Sequence, residues 1–259
     1  MKIAACVKQI PGPDAPAGFD PVTHDLVRTG GLVLDDSDSY GVETALRLAE
    51  QSGGGEVVLV SMAPDGETAG LRTALAMGAT SALLVSDDAL AGSDALGTAR
   101  VLAALVARAG AELVIAATES SDGYTGTVPA QLAELLGYPA VTFATQVETD
   151  GARLSAQRQT DQGREDVTCP LPAVVTVTAG VVEVRYPSLK GIMGAKSKPV
   201  EVLSLAELGI DPAKVGRAGA RQEVVSVERA EARAGGTVVT DEGHAHEDIV
   251  ERLEAWGVL

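Results

Sequence analysis

The sequence predicts an α/β protein: a parallel sheet with helices on both faces, antiparallel additions at its edge, and a C-terminal extension ending in a helix. Three observations carry this. Over residues 2–137, short runs that are apolar throughout alternate with stretches of helical period, as expected of parallel strands buried on both sides. Between residues 139 and 180, strand-like runs follow one another with no helix between them. Beyond residue 200 the chain turns polar until the amphipathic stretch 247–259.

Each element has a local reason. KIAACV (2–7) is an apolar run of strand length, and DLVRTGGLVLD (25–35) reads as a hairpin turning at Gly30-Gly31. YGVETALRLAE (40–50) has helical spacing, with Ser37, Asp38 and Ser39 before it as cap candidates. EVVLVSM (56–62) is a strand, ETAGLRTALAMG (67–78) a helix stopped by glycine, and SALLVSD (81–87) a strand. SDALGTARVLAALVARAG (93–110) opens on a capping serine, ELVIAAT (112–118) is a strand, and TVPAQLAELLG (127–137) is a helix with Pro129 in its first turn, where its missing N–H costs nothing. The runs 141–150, 152–159 and 164–169 are antiparallel additions, and 173–179 is one last buried strand. SLAELG (204–209) is a short helix, and EDIVERLEAWGVL (247–259) places Ile249, Val250, Leu253 and Trp256 on one helical face. The whole is a Rossmann-like arrangement with right-handed crossovers.

Composition narrows the function. With 36 Asp+Glu against 20 Lys+Arg, the net charge of −16 lacks the basic footprint that nucleic-acid binding requires. Cys6 and Cys169 sit in apolar runs with no Cys or His neighbours at metal spacing, which reads as two reduced, buried thiols in a cytoplasmic protein. No leader is visible before the first strand, and no apolar run reaches the ~18 residues of a membrane span.

Four features invite a functional reading. ATESSDGYTGTVP (117–129) joins a strand to a helix, where ligands of open parallel sheets bind, and its small residues lead into a helix start whose amides can converge on a phosphate; the plain alternative is an ordinary βα loop. It carries neither a P-loop lysine nor a GxGxxG. Lys8 follows the first strand, as a solvated surface residue or a site residue, and Asp35, Asp36 and Asp38 precede a helix they can cap. His244 and His246 read as a surface pair rather than a metal site. RYPSLKGIMGAKSK (185–198) holds four cations and no anion in an acidic chain, with Tyr186, Leu189, Ile192 and Met193 at no clear strand or helix period. No nucleophile–base arrangement stands out, which points away from a stand-alone enzyme.

The motifs together resemble the beta subunit of electron transfer flavoprotein, nearly end to end. ACVKQIP (5–11), DDSDSYGVETALRL (35–48), LRTALAMGA (71–79), TESSDGYTGTVPAQLAELLGYP (118–139), AQRQTDQGREDVTCPLPAVVT (156–176) and RYPSLKGIMGAK (185–196) stand in the family's order. Departures are Ser37 where members often carry an aromatic, no second aromatic near Pro13, Val182-Glu183-Val184 in place of Asn-Glu-Pro, and Tyr124 in place of an acidic residue.

The resemblance implies a heterodimer with an alpha subunit that carries the redox FAD, and structural AMP in the beta subunit. Carried over by position, the AMP pocket comprises Cys6, Asp35, Asp36, Ser37, Asp38, Met62, Ala117, Thr118, Glu119, Ser120, Ser121, Asp122, Gly123, Tyr124, Thr125, Gly126, Thr127 and Val128. Tyr186, Leu189, Ile192 and Met193 would dock partner dehydrogenases, and Glu165 would contact the mobile flavin domain. The implied activity is electron carriage from acyl-CoA and related flavin dehydrogenases, as in fatty acid β-oxidation, to a quinone oxidoreductase. Residues 1–200 would be the nucleotide-binding domain with the docking loop, and 201–259 an arm packing on the core or on the alpha subunit. The alternatives are a bifurcating member with FAD in the beta site oxidising NADH, and a stand-alone nucleotide-binding protein of similar fold.

Overall fold

In a computed structural model of the chain, residues 1–15, 18–28, 30–63, 65–228, 230, 235–236 and 238–259 are described. The apolar run at the start forms β1 (Lys2–Cys6). Two short strands, β2 (Gln9–Pro11) and β3 (Leu32–Leu34), pair with each other in antiparallel fashion. The hairpin expected within 25–35 is therefore a wider one. Its arms are 9–11 and 32–34, and between them Phe19 and Leu26 form an isolated antiparallel bridge.

Helix α1 (Asp36–Gln51) follows, then β4 (Glu56–Met62), α2 (Ala69–Met77), β5 (Ser81–Val85), α3 (Ala95–Ala109), β6 (Leu113–Ala117) and α4 (Val128–Leu136). The caps differ from expectation by one position or more. Asp35 rather than Ser37, Asp38 or Ser39 caps α1, and Asp94 rather than Ser93 caps α3, in each case with a carboxylate oxygen on a first-turn N–H. The chain continues through β7 (Ala140–Thr149), β8 (Arg153–Thr160), β9 (Gly163–Pro170), β10 (Ala173–Val177), α5 (Leu189–Ala195), β11 (Val200–Leu203), the single turn α6 (Gly216–Gly219) and α7 (Ala245–Ala255). SLAELG makes one 3-10 turn, Ala206–Leu208, in place of an α-helix. The segment Met1–Val225 forms one compact unit and Ser226–Leu259, with α7, a second.

The sheet order is β11-β5-β4-β1-β6-β10-β7-β8-β9, parallel from β11 to β7 and antiparallel from β7 to β9. The strands alternate between two cores, as doubly covered strands must. Ile3, Ala5, Leu59, Ile115 and Val175 face α1 and α2, whereas Ala4, Cys6, Val58, Val60, Val114 and Ala116 face α3 and α4.

One edge is not a flat addition, because β7 pairs in parallel with β10 and antiparallel with β8. Pairing of Ala140 with Val174, and the bond from Thr178 N–H to Ala144 O, carry the first half of β7 along β10. Yet Leu171 N–H donates to Ala152 O at the amino end of β10, so the chain doubles back between residues 144 and 152. The reversal begins at Phe143, whose φ of +58° is strained for a bulky residue and whose N–H bonds Thr176 Oγ1 at 2.9 Å. Leu154, Ala156 and Cys169 of β8 and β9 thereby join the same core as Ile115 and Val175.

Candidate functional site

From β1 the chain winds outward to β4 and β5, then returns past β1 to β6. The connections after β1 and β6 leave in opposite directions, and the carboxyl ends of these two strands open a crevice, the place where such sheets bind ligands. Three segments meet there: Val7–Lys8, the start of α1, and the loop 118–127 before α4.

Asp35 joins all three. It is fully buried, and its own N–H donates to Lys8 O at 3.0 Å. Its Oδ1 accepts from Ser37 N–H (3.0 Å) and from the Ser121 hydroxyl (3.0 Å), while Oδ2 accepts from Ser121 N–H (2.8 Å). The cap reading of this aspartate is realised, and the same carboxylate ties the loop 118–127 to the start of α1. Asp38, also buried, accepts the Lys8 N–H at 2.5 Å. Burial raises its carboxyl well above the usual range, against the Lys8 N–H bond and with help from the nearby Asp35 charge. Burial, then the proximity of Asp38, pushes the Cys6 thiol up to about 12, so this cysteine is a packing residue with no thiolate chemistry at neutral pH.

A folded-state carboxyl raised above its unfolded value contributes stability below the unfolded value and loses it as pH rises. Asp38→Asn keeps an acceptor for Lys8 and cannot ionise. Its melting temperature is expected to exceed that of the unsubstituted chain at pH 8, with the gap closing toward pH 5; equal pH slopes in thermal melts would contradict this.

Lys8 reaches into the loop. Its Nζ donates to Ser120 Oγ (3.2 Å) and to Asp122 Oδ1 (2.5 Å). Arg28 donates to the other carboxylate oxygen of Asp122 from Nη2 (2.9 Å) and Nε (3.2 Å). Burial alone would raise the Asp122 carboxyl, but the bond and charge of Lys8, then those of Arg28, hold it below the usual range. Arg28 lies in a polar excursion with no local signal, and only its contact with Asp122 reveals it.

Beyond Asp122 the loop is open. The amides of Gly123, Thr125, Gly126, Thr127 and Val128 donate to no protein acceptor among the described residues. Tyr124 (φ +48°) and Gly126 (φ +63°) take left-handed conformations that turn the backbone through this stretch. Of the remaining positions carried over from the resemblance, Ala117 is buried, Met62 and Thr118 half-buried, Ser37 half-buried, and Asp36 and Glu119 exposed. Among the described residues, no group of three or more His, Cys, Asp or Glu is arranged to hold a metal.

A second surface lies on residues 185–198. Read from sequence as an irregular loop, it contains the helix α5, capped by Ser188 Oγ on Gly191 N–H at 3.1 Å. A Cβ on Gly191 would stand 2.4 Å from Ala76 O, so glycine lets α5 lie directly on α2. Arg72 of α2 donates to Ala195 O and Lys198 O, and Lys198 Nζ donates to Leu75 O and Ala79 O. Arg185 grips α1 through Glu43 and Glu50, at 2.7 Å each. Two of the four cations are therefore turned inward as fasteners. Thus fixed, the segment presents Tyr186 (96% exposed), Leu189 (81%), Met193 (75%) and Ile192 (50%) to solvent. Glu165, on β9, pairs across the strands with Arg158 at 2.7 Å and is exposed.

The Electron transfer flavoprotein domain family matches residues 23–208. An electron transfer flavoprotein subunit beta of Mycobacterium tuberculosis (strain ATCC 25618 / H37Rv) is 38% identical over 263 aligned residues, covering 99% of each chain. The chain belongs to the electron transfer flavoprotein family, with the beta subunits. A subunit beta of Thermoanaerobacterium thermosaccharolyticum is 33% identical over 262 residues and the full length of both chains. The "Caffeyl-CoA reductase-Etf complex subunit CarD" of Acetobacterium woodii is 31% identical over 242 residues, 93% of this chain and 92% of its own. The family match takes in both surfaces described above, the crevice loop and α5. Among the described residues, no helix is long and apolar enough to cross a membrane.

Proposed function

We propose that this chain is the beta subunit of a heterodimeric electron transfer flavoprotein, an electron carrier rather than an enzyme in its own right. Its alpha partner holds most of the single FAD, and that flavin supplies the redox chemistry when bound. The beta chain contributes a rigid base, a docking surface and a structural nucleotide. The observation that carries this reading is the fastened helix α5. Four large apolar side chains stand in solvent on a segment held by Arg72, Arg185, Lys198 and the Ser188 cap. Exposed apolar clusters on an otherwise acidic surface mark partner sites. Acyl-CoA and related flavin dehydrogenases are the partners assigned to it, and a quinone oxidoreductase is the acceptor.

The crevice at β1 and β6 is assigned to AMP. Its fit rests on the free amides of Gly123, Thr125, Gly126, Thr127 and Val128, which suit a phosphate at a helix start, with Lys8 bonded to Ser120 in the same loop. Asp35 and Asp38 hold the crevice walls together, and Ser37, Met62 and Ala117 line them. Glu165 is assigned to the alpha subunit's flavin domain. Ile249 and Val250 of α7 and Trp256 at its carboxyl-terminal cap are exposed, and the alpha subunit is the partner assigned to cover them.

A second reading takes its support from the Acetobacterium relative, which is named as a subunit of a reductase complex. In that reading the beta crevice holds a second FAD and the assembly oxidises NADH. Co-expression with the alpha subunit, followed by denaturing release and mass analysis of the bound nucleotides, separates the two. Equal amounts of AMP and FAD are expected; two FAD and no AMP would replace the first reading with the second.

A further inference from the structure

Asp122 occupies an unusual place for a carboxylate. It stands in the loop assigned to a phosphate, its side chain is only 6% exposed, and each of its oxygens is engaged by a cation, Lys8 on one and Arg28 on the other. A Cβ on Gly123 would lie 3.7 Å from Lys8 Nζ, so the Lys8 ammonium lies beside Gly123, whose amide is the first open one of the loop. The neighbouring residue cannot yield, because Ser121 is tied through both its N–H and its hydroxyl to the buried Asp35. Asp122 is thus held where a phosphate oxygen would otherwise meet Lys8 and Arg28.

We propose that Asp122 is the specificity residue of the nucleotide crevice, admitting one phosphate group and rejecting a second. This rests on the nucleotide reading of the crevice given above. A monophosphate satisfies its charge on the open amides of Gly123 and of Thr125 to Val128 and shares Lys8 with Asp122. A second phosphate brings further negative charge to the cations that Asp122 already neutralises. It must either displace an enclosed, doubly paired carboxylate or stand beside it as a like charge, and both are unfavourable. Selection here acts through repulsion as much as through attraction. It favours mononucleotides over nucleoside diphosphates and over the pyrophosphate of a dinucleotide.

The test uses the heterodimer, dialysed to equilibrium against equal concentrations of AMP and ADP, with the bound nucleotides counted by mass. The unsubstituted protein is expected to hold AMP over ADP by about tenfold or more, the equivalent of ~1.4 kcal/mol. Asp122→Asn, which keeps the side chain's size and removes its charge, is expected to bring that ratio down by about tenfold. Arg28→Gln leaves Asp122 charged and held by Lys8; it is expected to retain nucleotide less well but to keep the AMP preference. A ratio that Asp122→Asn leaves within twofold of the original overturns the proposal while leaving the nucleotide reading intact, and so does an equal loss of preference in Arg28→Gln. Failure of both the unsubstituted protein and Asp122→Asn to hold either nucleotide overturns the nucleotide reading itself.

Discussion

Leu189→Ala is expected to leave the heterodimer assembled and its flavin content unchanged while removing its reduction by a partner dehydrogenase. The side chain stands on the first residue of α5, exposed, and packs no core that its loss would disturb. Its only large effect is therefore at an interface. Truncating an apolar anchor that fills a partner's pocket costs about 2 kcal/mol or more, roughly 30-fold in affinity. The loss should appear as a fall in reduction rate at sub-saturating dehydrogenase, with thermal stability unchanged. Rates equal to those of the unsubstituted protein would rule out Leu189 as the anchor and leave Tyr186 or Met193 in its place.

Arg185→Ala is expected to act on the fold first and on docking second. Glu43 lies on α1 with its carboxylate 1% exposed, bonded by Arg185 Nε (2.7 Å), Nη2 (3.2 Å) and backbone N–H (3.3 Å), and by Arg47 Nε (2.7 Å). Arg185 also donates to both oxygens of Glu50. Removing one partner of a buried charged pair costs about 3 kcal/mol, and here the enclosed Glu43 carboxylate would keep only Arg47 and the backbone N–H of residue 185. At about 2–4 °C per kcal/mol for a unit of this size, the melting temperature should fall by roughly 6–12 °C.

The pH dependence has a definite sign. Burial raises the Glu43 carboxyl, but Arg185 and then Arg47 hold it below the usual range. Its contribution is therefore present above the unfolded value and lost as pH falls through the lower folded one. The gap between Arg185→Ala and the unsubstituted protein should narrow in acid. Lysine at 185 restores the charge but not the bidentate fork, and should recover only part of the loss. A melting temperature unchanged in Arg185→Ala would show that Arg47 suffices for Glu43.

The parallel strands were legible for a simple reason. A strand buried on both faces must be apolar at every position, and KIAACV, EVVLVSM and ELVIAAT announce themselves without reference to the rest of the chain. β11, an edge strand reading VEVL next to lysine and proline, carries no such run; it is recognised only once it pairs with β5. Helix α5 has seven residues, two of them glycine, and no helical stripe; its stability comes from the backbone of α2 against Gly191 and from Arg72 on its carboxyl end. The reversal at Phe143 is equally silent, since no glycine or proline marks it.

The site divides along the same line. The loop 117–129 was visible because its small residues join a strand to a helix at the end of the sheet where ligands bind, and the local sequence alone places it there. Which groups face that loop was not visible. Arg28 meets Asp122 from 94 residues away, Lys8 from 114, and Arg185 meets Glu43 from 142. The sequence by itself determined the alternation of buried strands and helices from β1 to α4, the doubly covered sheet and the position of the crevice loop, because those depend on period and burial over a few residues. Only the tertiary structure decided which cations neutralise which carboxylates, and that two of the four cations in 185–198 are fasteners rather than a docking charge. Such pairings are chosen by proximity in space, which distance along the chain does not encode.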